Sequence, residues 1–136
     1  MAIKLYSTDD GHVPAWEYYT IKSGTKVAVG TGMAFDATGK LIASKNPTHI
    51  CMVSTADPTV ATTADMIGPV VRITPDQVWE SCLYVRPDSD ITPGMIMGLS
   101  DNGLYIDPDN TTDDVFTVSY VAGQNLNDTV RGRFVK

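Results

Sequence analysis

Glycine and proline interrupt this chain so often that few windows survive for a three-turn amphipathic helix. Eleven glycines and eight prolines are spread over 136 residues, and each is unfavourable inside a helix by about 1 and 3 kcal/mol respectively. Between the interruptions lie short runs of β-branched and aromatic residues, the composition that suits a pleated, half-buried surface. Trp16 to Lys22 is such a run and stops at Ser23-Gly24-Thr25. Lys26 to Val29, Met33 to Phe35 and Lys40 to Ser44 follow, the last two joined by Asp36-Ala37-Thr38-Gly39, whose glycine supplies the positive φ of a tight reversal.

Asn46-Pro47 breaks the pattern. Thr48 to Ser54 is then largely apolar, as expected of a central strand covered on both faces. Thr55 to Asp65, rich in Ala and Thr without apolar periodicity, reads as an exposed loop. Ile67 to Thr74 and Val78 to Val85 read as an antiparallel pair turning at Pro75-Asp76. Met95 to Leu99 and Leu104 to Asp107 flank Asn102-Gly103, a strong hairpin signal. Val115 to Val121 and Val130 to Val135 are the last two strands. Evenly spaced short strands with such turns argue for a small all-β barrel or sandwich, with the choice between them open.

Length allows one core, and 43% hydrophobic with 19% charged residues is a globular balance. A formal charge of -6, with scattered Lys and Arg, would repel a phosphate backbone, so nucleic acid is not an expected partner. No apolar stretch approaches the roughly 20 residues of a membrane helix. The N-terminal run lacks the apolar core of a signal peptide, so synthesis and use in a cytoplasm are expected. Cys51 and Cys82 sit in separate apolar runs and read as buried free thiols.

The residues that carry chemistry do not assemble into a pattern. His12 and His49 lack a second ligand at zinc spacing, and His49, beside Ile50-Cys51, reads as a packed strand histidine. Gly30-Thr31-Gly32 lacks the rest of a phosphate loop. Asp88-Ser89-Asp90, Asp107-Pro108-Asp109 and Asp113-Asp114 offer hard oxygen ligands in loops, but without the glycine and terminal glutamate of a calcium loop they read as turn residues. Glu17 with Asp76 or Glu80 would need to flank a cleft to act as a glycosidase pair. Trp16, Tyr18, Tyr19 and Trp79 are either core residues or stacking platforms for a sugar. The expectation is therefore a non-enzymatic protein with no catalytic residue, metal, cofactor or small-molecule substrate.

Two stretches carry a resemblance. Ser23-Gly24-Thr25 through Gly39-Lys40-Leu41 leads into Lys45-Asn46-Pro47-Thr48-His49-Ile50-Cys51, and Gly68-Pro69-Val70-Val71-Arg72-Ile73-Thr74-Pro75-Asp76-Gln77-Val78-Trp79-Glu80 follows. Together they resemble the small capsid (head) decoration proteins of tailed bacteriophages and prophages. The likeness covers about the first two-thirds of the chain, and only its Arg-x-Thr-Pro-Asp-x-x-aromatic-Glu segment is distinctive.

The resemblance implies a small β-barrel or β-tulip-like single domain that binds the outside of a phage head as a homotrimer. Its partner would be the major capsid protein, and its place the virion surface after synthesis in the host cytoplasm. Separately, the leading residues alternate small or charged with apolar side chains and then break at an acidic turn, so they read as an N-terminal arm over residues 1–15 ahead of a domain over 16–136, an arm onto which no motif residue of the family maps. Ala2, Ile3, Lys4, Leu5 and Tyr6 would then be the capsid-binding residues, adding a strand to a capsid sheet edge. The same alternation of apolar and polar residues equally fits a first strand of the protein's own sheet.

Overall fold

The computed structural model describes residues 2–135, so Met1 and Lys136, the outer residues of the two expected ranges, lie outside it. Eleven strands, and no helix, form among the described residues: β1 (Lys4–Thr8), β2 (Glu17–Ile21), β3 (Gly32–Phe35), β4 (Leu41–Ala43), β5 (His49–Cys51), β6 (Met66–Arg72), β7 (Gln77–Cys82), β8 (Ile96–Leu99), β9 (Ile106–Asp107), β10 (Phe116–Val121) and β11 (Thr129–Phe134). The chain is all-β, and the open choice between barrel and sandwich resolves to a barrel.

Strands β2-β4-β3-β5-β6 close into a five-stranded barrel. Inside it lie Ile21, Val27, Met33, Leu41, Cys51 and Val70. The expected hairpin is β3–β4, turning over Asp36 to Gly39 with Gly39 at φ 80°. Asp36 fixes that turn by accepting from the Thr38 and Lys40 amides, and β5 is the covered central strand, paired with β3 and β6.

The other six strands run β1-β7-β11-β10-β8-β9. A parallel bridge between Leu83 and Ile106, with the Tyr84 amide donating to the Ile106 carbonyl at 2.8 Å, brings β9 back beside the end of β7. This sheet therefore curls almost shut around its own core, which includes Trp79, Phe116, Leu99 and Phe134. Ile50 and Val71, on the outside of the barrel, belong to the same core. One shared apolar layer thus joins the curled sheet to one flank of the barrel.

The expected pairing of Ile67 to Thr74 with Val78 to Val85 is not what forms. β6 pairs with β2 and β5 in the barrel, whereas β7 pairs with β1 and β11 in the curled sheet. Pro75-Asp76 is the crossing between the two, β1 and β11 take both edges of β7, and Gln77 holds the corner. Its buried side chain accepts from the Thr74 amide at 2.8 Å and from Trp79 Nε1 at 3.1 Å, and donates to the Arg72 carbonyl at 3.0 Å. Two main-chain groups that a hairpin ladder could have engaged, and the indole N–H, are satisfied at a corner instead.

The segment over residues 2–8 is extended, as expected, but it does not stand off as an arm. β1 pairs antiparallel with β7 from Lys4↔Glu80 to Thr8↔Gln77, with a bulge between Leu5 and Ser7. Ile3 is 2% exposed within the large core, and its amide donates to the Gly30 carbonyl at 3.3 Å. Burying an isoleucine contributes about 2 kcal/mol, which favours the protein's own sheet over a free segment.

Candidate interaction surface

The five residues expected to meet a partner fall on different sides of this edge strand. Ala2 and Ile3 lie against Gly30, and Leu5 packs half-buried on the large core. Lys4 and Tyr6 reach the outer face, where Lys4 Nζ is 3.1 Å from Glu80 Oε1. Arg131 Nε donates to Glu80 Oε2 at 2.6 Å, and the Arg131 guanidinium lies between the rings of Tyr6 and Tyr120, 4.0 and 4.7 Å from their centroids. The hydrogen bond from Arg131, aided by Lys4, holds the Glu80 carboxyl below its ordinary value. This row crosses four strands and satisfies itself.

A second outer face is not satisfied. In β2 and β6, Tyr18 lies opposite Pro69 and Thr20 opposite Ile67, so these four share the outside of the barrel. Trp16 lies just before β2, two residues ahead of Tyr18. Further along the same face Val71 is buried beneath the curled sheet, but Trp16, Tyr18 and Ile67 are 51%, 64% and 73% exposed. The platform role fits Trp16 and Tyr18 only. Trp79 is buried, and Tyr19 turns toward the barrel's end, edge-on to Phe35 and His49 at 5.1 and 5.4 Å.

At that end Glu17 accepts from Arg72 Nε and Nη2 at 3.0 and 2.9 Å and from the Tyr19 hydroxyl at 2.6 Å. Arg72 first, then Tyr19, lower its pKa to about 2. His49 sits behind them, 3% exposed, with Nδ1 2.8 Å from Thr48 Oγ1. Its Nε2 has no hydrogen-bond partner and lies 4.0 Å from Glu17 Oε1. Burial lowers the His49 pKa, so the ring is neutral at pH 7. Glu17 is thus committed to Arg72 in the barrel and Glu80 to Arg131 in the curled sheet, and the two are not brought together as a pair across a cleft.

One grouping escaped the sequence reading. His12 Nδ1 contacts Asp10 Oδ1, its Nε2 lies 3.6 Å from Asp76 Oδ2, and all three side chains are at least partly exposed. The hydrogen bond that the Asp10 carboxylate accepts, with the nearby charges of Asp10 and Asp76, raises the His12 pKa. Only the Asp10-x-His12 spacing was visible in advance; Asp76 comes from the corner that precedes β7. Both thiols are buried, and burial pushes the Cys51 thiol upward. Comparison with protein-family models and with curated proteins finds no match to this chain.

Proposed function

We propose that this protein is a non-enzymatic capsid decoration protein, which binds the outer surface of a phage head as a trimer and stabilises the shell. One observation carries the reading: Tyr18 and Ile67 on the outside of the barrel, and Trp16 just before β2, are large apolar side chains left exposed. The fold does not need that exposure, and large aromatic anchors of this kind are enriched at protein interfaces. The distinctive Arg72-to-Glu80 segment is consumed in the corner between the two halves, so it supports the likeness of fold and not the docking itself. The partner would be the major capsid protein, and the site of action the virion surface. An acidic surface of net charge -6 suits a part that must not bind packaged DNA.

The test is solution mass together with co-sedimentation on expanded, undecorated heads built from the cognate major capsid protein. A trimer that saturates the heads is expected; a monomer that ignores them would overturn the reading. A second reading, carbohydrate binding, draws on the same exposure of Trp16 and Tyr18, which is the geometry on which a sugar stacks. A glycan titration that quenches Trp16 fluorescence while leaving a Trp16→Phe variant silent would favour it over the first.

A further inference from the structure

The barrel is closed on one side by a single parallel pair, Ile21↔Leu41, and beyond it the two strands splay apart. The last bond of this seam runs from the Lys22 amide to the Leu41 carbonyl at 2.9 Å. The chain then turns away: Gly24 donates to the Thr62 carbonyl, the Thr62 amide to the Thr25 carbonyl, and Lys26 bridges to Ala61. On the other wall, the bonds Asp36 to Lys40 and Ser44 to Gly32 fix the alternation along β3–β4. Met33 spends its carbonyl on Thr48, so Met33↔Ala43 is a non-hydrogen-bonded pair and Ala43 turns its N–H and C=O away from β3. They face a cleft of about 670 Å³ whose walls include Lys22, Lys26, Ile42, Ala43 and Leu104.

The charge in this cleft is also unspent. Among the described residues every lysine and arginine has a carboxylate within 4.0 Å except Lys26 and Arg86. Lys26 is exposed and lines the cleft. An open seam with free main-chain groups, an apolar wall and one unneutralised ammonium, on a protein of net charge -6, is complementary to one kind of occupant. We infer that the split seam between β2 and β4 is a receptor groove for an extended acidic polypeptide segment of a partner protein. The segment would add a short strand along Ala43 and place a carboxylate on Lys26. The inference is independent of which assembly the exposed aromatic side chains meet.

The experiment is a titration of the full-length ¹⁵N-labelled protein, followed by amide NMR. Two capped pentapeptides serve as probes, one alternating valine with aspartate and one alternating valine with lysine. The acidic peptide is expected to shift the Ala43, Lys26 and Ala61 amides saturably, and to bind at least tenfold more tightly than the basic one. Lys26→Glu should reverse that preference while the remaining spectrum is unchanged, since Lys26 is at the surface. Absence of saturable shifts at these amides would overturn the inference. So would equal binding of the two peptides, or succinate alone reproducing the shifts at the same affinity.

Discussion

At the scale of single residues, the structure turns buried polar groups into measurable behaviour. Burial holds folded His49 below its ordinary pKa near 6.5, so the unfolded chain takes up that proton first as the solution is acidified. Its contribution is full above pH ~6.5 and is lost as pH falls through the folded value. Glu17, held at about 2 against an ordinary 4.5, adds a further loss across that lower window. His12 works the other way, since its raised pKa favours the fold at low pH and that contribution fades as pH rises. Thermal melts in a His12→Asn background should therefore show Tm level from pH 8 to about 6.5 and falling from there to pH 4, and adding His49→Gln should flatten the part between about pH 6.5 and 5. A Tm that rises on acidification in that background would contradict the assignment of His49 as a neutral buried ring. Gln77→Ala strands the Thr74 amide, the Arg72 carbonyl and Trp79 Nε1. Destabilisation of about 2–4 kcal/mol is expected by denaturant unfolding.

At the scale of elements, the hairpins were legible because turn chemistry is local. Asp36 to Gly39 reverses the chain as its residues dictate, and Asn102-Gly103 joins β8 to β9, although the loop spans Ser100 to Tyr105 and is wider than the dipeptide implied. Pro75-Asp76 looked equally like a turn, yet whether two strands meet after a turn depends on which neighbours compete for their edges. β1 and β11 take both edges of β7, a long-range outcome that the local residues do not encode. The attachment of β1 gives a sharp test. Gly30 has φ 89°, and a Cβ there would lie 2.4 Å from the Ile3 carbonyl oxygen and 2.7 Å from Ala2 Cβ. Gly39 has a similar φ of 80° but open space around it. Gly39→Ala should cost about 1 kcal/mol, from backbone strain alone. Gly30→Ala should cost about 3 kcal/mol and raise hydrogen exchange selectively in β1. Equal costs for the two would mean that β1 is not seated on Gly30.

At the scale of the whole molecule, a five-stranded barrel and a curled six-stranded sheet share one apolar layer, and what remains outside it is where function must act. The all-β class and the recurrence of short strands could be read from composition and punctuation. The exposed aromatic side chains could not, because Trp16 and Trp79 look alike in sequence and only the packing buries one of them. Removing residues 1–6 would strip Ile3 from the large core as well as Tyr6 from the surface, so loss of binding after that deletion would not identify a docking element. Point changes at Trp16 and Tyr18 separate stability from adhesion, since exposed side chains away from caps and buried networks move stability by roughly 0.5 kcal/mol or less. The most direct test of the account is co-sedimentation of wild type and a Trp16→Ala/Tyr18→Ala variant with undecorated heads, each checked for folding by its melting curve. The account predicts that wild type saturates the heads while the equally stable variant stays in the supernatant; a variant that binds as wild type does, or a wild type that never binds, would contradict it.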